Sequence, residues 1–192
     1  MNTIKSTEST KRTARQLPAL MVAVFAVLTV MSPTRAAQAE PVVNIDAAAP
    51  VISRHDIEIE APLDTVWKIQ TGISEWTQWR PTVTAAHFDG ELKTGAAFKW
   101  EEGGLKITST VQQLLPGRRI VWTGPAQGIF AVHVWEFTAT ERGVHVHTEE
   151  SWSGDPVQAQ AAALQPVLDG ALIDWLERLK STSEAAVAMA TP

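Results

Sequence analysis

The run HVWEFTATERGVHVHTEESW, His133 to Trp152, holds two alternating segments separated by Glu141-Arg142-Gly143. In a strand, side chains at every second position share a face. Val144, Val146, Thr148, Glu150 and Trp152 form one set; His145, His147, Glu149 and Ser151 form the other. The first set is the more apolar and reads as the inner face. On the preceding segment His133, Trp135 and Phe137 share one face, against Val132, Val134 and Glu136. The aromatic set reads as the inner one. A short glycine-containing connection joins such segments as an antiparallel hairpin. Pairing about that turn sets His133 across from Glu150 to Trp152, with both His133 and Glu150 facing inward.

The same alternation extends toward the N-terminus. VISRHDIEIE (51–60) reads as a first strand ending at Ala61-Pro62. Leu63, Val66, Trp67 and Gln70 then recur at helical spacing, and ISEWTQWR (73–80) reads as a second short helix that Pro81 stops. Strand-like runs follow at TVTAAHF, AAFKWEE, LKITSTVQQLL, RRIVWTG and IFAVHVWEFTAT, divided by turns with glycine. Beyond Asp155-Pro156 the period changes. Leu164, Leu168, Ala171, Trp175 and Leu179 mark a long amphipathic helix, with a kink expected at Pro166.

The chain has 192 residues and no cysteine, which excludes disulfides, thiolate metal sites and cysteine nucleophiles. Eight Trp against no Tyr is a demand for large apolar rings without phenolic hydroxyls. Lys5, Lys11, Arg12 and Arg15 precede the apolar run Leu20–Met31, and Ala37-Gln38-Ala39 follows. That order predicts an export leader cleaved after Ala39 and a periplasmic or secreted protein. Five of the 16 basic and one of the 21 acidic residues lie before Glu40, leaving a mature chain of net charge −9. Such a balance argues against nucleic acid as a partner and against stable membrane association after cleavage. No feature specifies an oligomeric state, and none calls for a cofactor. The expected organisation is a leader at 1–39, a flexible lead-in at 40–50, one domain at 51–186 and a frayed tail at 187–192.

The fold class read from this order is α+β. About seven antiparallel strands curve around a long C-terminal helix, with two short helices after the first strand. The segments EAPLDTVWKI, ISEWTQWRP, GAAFKW, ITSTVQQLLPGRRIVWTG, HVWEFTATERGVHV and ALIDWLERLK, in this order, resemble the START-like, helix-grip superfamily and its polyketide cyclase/dehydrase-like (SRPBCC) branch. The resemblance spans roughly Ser53 to Lys180. It implies a sheet gripping the last helix around an apolar cavity, with a small hydrophobic molecule as partner. It carries over no catalytic residue, because that family shares a shape rather than a motif.

Strand parity nominates the candidate lining. Phe98, Trp100, Ser109, Trp122, Trp135 and Trp152 fall on inner faces, Leu168 and Leu172 on the helix, and Trp76 and Trp79 on the second short helix. These residues read either as a pocket for a flat or lipid-like ligand or as a filled aromatic core. Arg80, beside the expected mouth, has two readings: a partner for a ligand carboxylate or phosphate, or an ion pair with Glu75. Arg118 and Arg119 follow a turn and read as solvated.

His133 and Glu150 are the candidate catalytic pair, an acid and a base within reach of each other. The alternative is a buried polar pair that orients a ligand or is merely satisfied by water. His145 and His147 fall on the outer face with Glu149, where adjacent positions are ~6–7 Å apart. Glu149 neighbours only His147, so no metal is expected there. Three functions remain in view: an exported binding protein for a hydrophobic ligand, a cyclase- or dehydratase-type enzyme using His133 and Glu150, and an interaction module with a filled core.

Overall fold

The computed structural model describes residues 42–190; the leader expected at 1–39 lies outside them. Strands β1 (Val51–Ile59), β2 (Val83–His87), β3 (Ala97–Glu102), β4 (Leu105–Leu115), β5 (Arg119–Ala126), β6 (Ile129–Ala139) and β7 (Val144–Ser153) form one antiparallel sheet in the order β1-β7-β6-β5-β4-β3-β2. Helix α1 (Leu63–Thr71), a 3₁₀ turn (Ile73–Glu75) and the single turn α2 (Trp76–Trp79) connect β1 to β2, and α3 (Asp155–Ala190) closes the chain. This is the helix-grip α+β architecture. Irregular register between Val83 and Ala85 and between Val111 and Gln113 marks bulges that help the sheet curve.

Helix α3 lies along the free edge of β1 and supplies what a neighbouring strand would. Gln165 Nε2 donates to the Ile52 carbonyl at 2.8 Å, and Lys180 Nζ donates to the Glu58 carbonyl at 2.6 Å. The Glu60 N–H donates to Glu184 Oε1 at 3.0 Å. These bonds satisfy edge groups that would otherwise pair with another chain. Among the described residues no helix is long and apolar enough to cross a membrane.

Between α3 and the sheet lies an aromatic core centred on Trp76. Its ring packs at 5.2–5.6 Å from Phe98, Trp100 and Trp175, edge to face. Such pairs add to the burial of the rings themselves. Gln70 ties them together: its carbonyl accepts from Trp76 Nε1 and its Oε1 from Trp175 Nε1.

Four expectations are corrected. The lead-in is packed rather than loose: Ile45 is buried on the outer face of the sheet against Val121, Val132 and Val134, and the Asp46 N–H donates to Ser151 Oγ at 3.0 Å. Those outward valines are too apolar to face water, and the segment before β1 covers them. Arg119 is correspondingly buried rather than solvated. It ion-pairs with Glu136 and donates through Nη2 to the Val43 carbonyl and Asn44 Oδ1. The helix runs through Pro166, and its non-helical residue is Gln160 (φ −130°, ψ 21°). The kink therefore falls at Gln160, upstream of the Ala162 carbonyl that the Pro166 ring crowds. The tail stays helical to Ala190, with Val187 against the core, because Glu, Ala and Met are strong helix formers.

Candidate functional site

A cavity of about 490 Å³ opens between the sheet and α3. Small residues make it. Gly124, Ala126 and Ala131 occupy inward positions of β5 and β6, and Gly170 and Ala171 line it from the facing turns of α3. A side chain at Gly124 would begin 3.2 Å from Ile107 Cγ2, whereas one at Gly170 would meet nothing within 4 Å. Ile107, Ile129, Val167, Leu168 and Leu172 supply much of the apolar wall, and Trp100, Trp122, Trp152 and Trp175 supply the aromatic part.

Of the residues nominated from the sequence, Arg80, Trp100, Trp122, Trp152, Leu168, Leu172 and Glu150 line this cavity. Trp76, Trp79, Phe98, Ser109, Trp135 and His133 do not; all of these but Trp79 are buried. Ser109 accepts from Trp100 Nε1 at 3.0 Å, so it holds a wall residue in place. Trp135 is fully buried beneath Trp122. His133 faces inward but is enclosed by the rings of Trp122, Trp135 and Trp175, with centroids 5.0–5.3 Å away.

Hydrogen bonds fix the protonation of His133. Thr148 Oγ1 donates its single proton to the Val134 carbonyl at 3.0 Å. It therefore accepts from His133 Nε2, 2.9 Å away, and that nitrogen carries the hydrogen. Burial, reinforced by the Arg80 charge, holds the imidazole well below its ordinary pKa, so the ring is neutral and Nδ1 is a bare acceptor. Nδ1 faces Glu150 Oε2 at 3.2 Å.

Burial also pushes the Glu150 carboxyl up to about 8. The Trp152 indole N–H, which donates to Oε1 at 2.7 Å, and the Arg80 charge oppose that shift; Glu102 adds to it. At neutral pH the carboxyl is protonated. Both partners of the contact are therefore neutral.

Arg80 is neither at the surface nor paired with Glu75. It is 1% exposed. Its Nη2 donates to Glu102 Oε1 at 2.7 Å, and its Cζ lies 3.5 Å from the Trp175 ring centroid. Burial lowers its pKa to about 10, with Glu102 opposing, so it stays charged at neutral pH. His145 and His147 lie on the outer face, engaged by Asp56 and Glu58 at 2.8–3.1 Å. Among the described residues no group of three metal-ligating side chains could hold an ion.

Residues 50–184 match the family described as polyketide cyclase / dehydrase and lipid transport. The chain belongs to that family. Solved structures share its fold. The Zhui aromatase/cyclase from a Streptomyces species superposes with a TM-score of 0.64 at 15% identity, covering 73% of this chain and 97% of that one. A hypothetical protein of Helicobacter pylori gives 0.64 at 19% identity over 76% and 99%. A START superfamily protein from Mycobacterium smegmatis gives 0.57 at 11% over 70% and 98%. No curated protein matches by sequence.

Within this family fold, sequence reasoning missed Glu102, Asp174 and Trp175 at the cavity. Trp175 was visible as a helix stripe residue and read only as packing. The glycines and alanines that open the cavity were also legible by parity, since Gly124 and Ala126 share the phase of Trp122. A search for large rings passes over the small residues that leave the space.

Proposed function

We propose that the protein binds an apolar small molecule in this cavity, with Glu150 as the polar contact on its wall. The observation that carries the reading is the cavity itself. Its volume falls within the ~300–1,000 Å³ usual for ligand sites, and its wall is apolar apart from a few convergent polar groups. The filled-core alternative has no such space. Native mass spectrometry of the purified protein tests the reading: a bound hydrophobic molecule, lost on denaturation, is the expected result. Absence of any such molecule, together with no tryptophan response to neutral apolar probes, would sink it.

A second reading, cyclase- or dehydratase-type catalysis, is favoured by one feature. Glu150 is a neutral acid at the cavity wall, backed by a neutral base, and could move a proton to or from an enolisable ligand. Deuterium exchange at the α-carbon of a bound β-diketone, followed by NMR, tests it. Glu150→Gln should slow exchange by 10²-fold or more, the scale of a general base. Exchange unaffected by that variant excludes catalysis by Glu150.

We also propose that the folded domain works outside the cytoplasm after loss of residues 1–39. The support is the basic-then-apolar order of that segment and the small-x-small pattern at its end. N-terminal sequencing of protein from periplasmic and membrane fractions decides it. Glu40 at the terminus supports export with cleavage; Met1 in the membrane fraction refutes it.

A further inference from the structure

We propose that the cavity selects a ligand whose polar group is a hydrogen-bond donor, an alcohol or an amine on an apolar body, and rejects carboxylate- or phosphate-headed ones. This rests on the cavity being a ligand site and adds the chemistry of the head group.

The wall is rich in acceptors and poor in donors. Among the described residues lining it, Arg80 is the one cation, and it is closed off. Its Nη2 is given to Glu102 and its face lies on Trp175; its Nε and Nη1 have no hydrogen-bond partner but expose no surface to the cavity. Thr82 spends its hydroxyl proton on the same Glu102 oxygen at 2.6 Å. Three of the four indoles at the wall have their N–H engaged: Trp100 with Ser109, Trp152 with Glu150 and Trp175 with Gln70. An anionic head would meet almost no free donor there, and burying it unpaired is costly.

The acceptors are three carboxyl groups, Glu102, Glu150 and Asp174. Glu102 is matched by Arg80, and Asp174 by Arg178, whose Nε reaches both its oxygens at 2.8 Å. Glu150 has no cationic partner of that kind. Its Oε1 takes one hydrogen bond from Trp152 and keeps acceptor capacity. A hydroxyl can donate to it with the carboxyl still neutral. An ammonium would favour the carboxylate, so the carboxyl proton passes to the buffer and an ion pair is left beside the indoles, which also favour cations.

The test is a tryptophan-fluorescence titration at pH 7 with three probes of equal chain length: dodecanol, dodecylamine and dodecanoic acid. The expected result is that the alcohol and the amine bind at least tenfold more tightly than the acid. Calorimetry in two buffers of different ionisation enthalpy should show a proton released with the amine and none with the alcohol. Glu150→Leu should bring all three affinities within threefold. Glu150→Gln, which keeps an acceptor oxygen, should retain the alcohol and abolish the proton release. If the acid binds as tightly as the alcohol, the donor-head proposal is overturned while the cavity remains a ligand site. If none of the three binds and neutral apolar probes also fail, the ligand-site reading falls and takes this one with it.

Discussion

His133 and Glu150 stand directly opposite on β6 and β7, and Nδ1 of the ring faces Oε2 of the carboxyl at 3.2 Å. The contact joins two groups that burial drives in opposite directions, the acid up and the base down. Both end neutral, so the contact joins two uncharged groups.

Stability should therefore fall as pH rises past Glu150. A carboxyl whose folded pKa of about 8 exceeds its ordinary 4.5 stabilises fully below ~4.5 and loses that contribution progressively up to about 8. Glu150→Gln mimics the protonated acid: its amide is uncharged and its oxygen can accept from Trp152. Urea denaturation should show the variant near wild type at pH 4.5 and more stable by about 2–4 kcal/mol at pH 9, with each pKa unit worth ~1.4 kcal/mol. Parallel pH profiles for the two proteins would refute the raised pKa. His133 acts with the other sign, its cost growing as pH falls below 6.5, and the Gln variant leaves that limb intact.

Thr148→Val tests the tautomer. Without the hydroxyl, His133 Nε2–H loses its acceptor, and the ring gains by moving its hydrogen to Nδ1. That hydrogen then lies on the side of Glu150 Oε2, 3.2 Å from the nitrogen, and its positive end favours the carboxylate. The variant should lose ~1–3 kcal/mol for the orphaned group, and the pH midpoint of Trp152 fluorescence should drop. A midpoint unchanged from wild type would show that the relay through Thr148 does not set the proton.

Gly170→Phe should plug the cavity without strain. Nothing lies within 4 Å of a Cβ at that position, and the residue sits in α3 with its backbone helical. Replacing a helical glycine by Ala gains about 0.5–1 kcal/mol, and Phe, a poorer helix former than Ala, keeps part of that gain, so stability should hold or rise. Binding of neutral apolar probes should fall at least tenfold. Full binding with the ring in place would mean that the ligand occupies other space.

Parity made the hairpin legible: the two inner sets of His133–Trp152 fall as they were read, and the 133–150 pairing follows from the turn. It also gave the seven strands and the grip of the last helix. What it missed has physical reasons. Val132 and Val134 read as outward and hence wet, yet a covering segment with no pattern of its own, residues 43–46, buries them. Arg80 and Glu102 are joined only because α2 ends beside β3, a relation no local spacing encodes. His133 was correctly inward, but parity cannot show that Trp122 and Trp175 close over it.

The outer-face histidines provide a control. His145 contacts both Asp56 and Glu58, and His147 shares the same Asp56 oxygen. All are substantially exposed, so the pairs are worth little. Replacing both histidines by Gln should change stability by less than about 1 kcal/mol. Zinc should leave the Tm of wild type and variant equally unmoved. A zinc-dependent rise confined to wild type would reveal a metal site.

The covering segment makes the last prediction. Ile45 is 9% exposed over Val121, Val132 and Val134, while Arg119 holds the preceding residues through the Val43 carbonyl and Asn44. If these contacts dock one unit, they must be energetically coupled. Ile45→Ala should cost about 1–2 kcal/mol, at or below the lower end for a buried Ile because the site lies at the surface and can relax. Arg119→Ala should release the segment and expose the same valines. The double variant should then cost at least ~0.5 kcal/mol less than the two singles together, since the second substitution removes contacts already lost. Additive costs would show that Arg119 and Ile45 stabilise independently. The segment lies on the face of the sheet opposite the cavity, so each variant should bind apolar probes as wild type does while still folded; loss of binding in either would overturn the separation of the two faces.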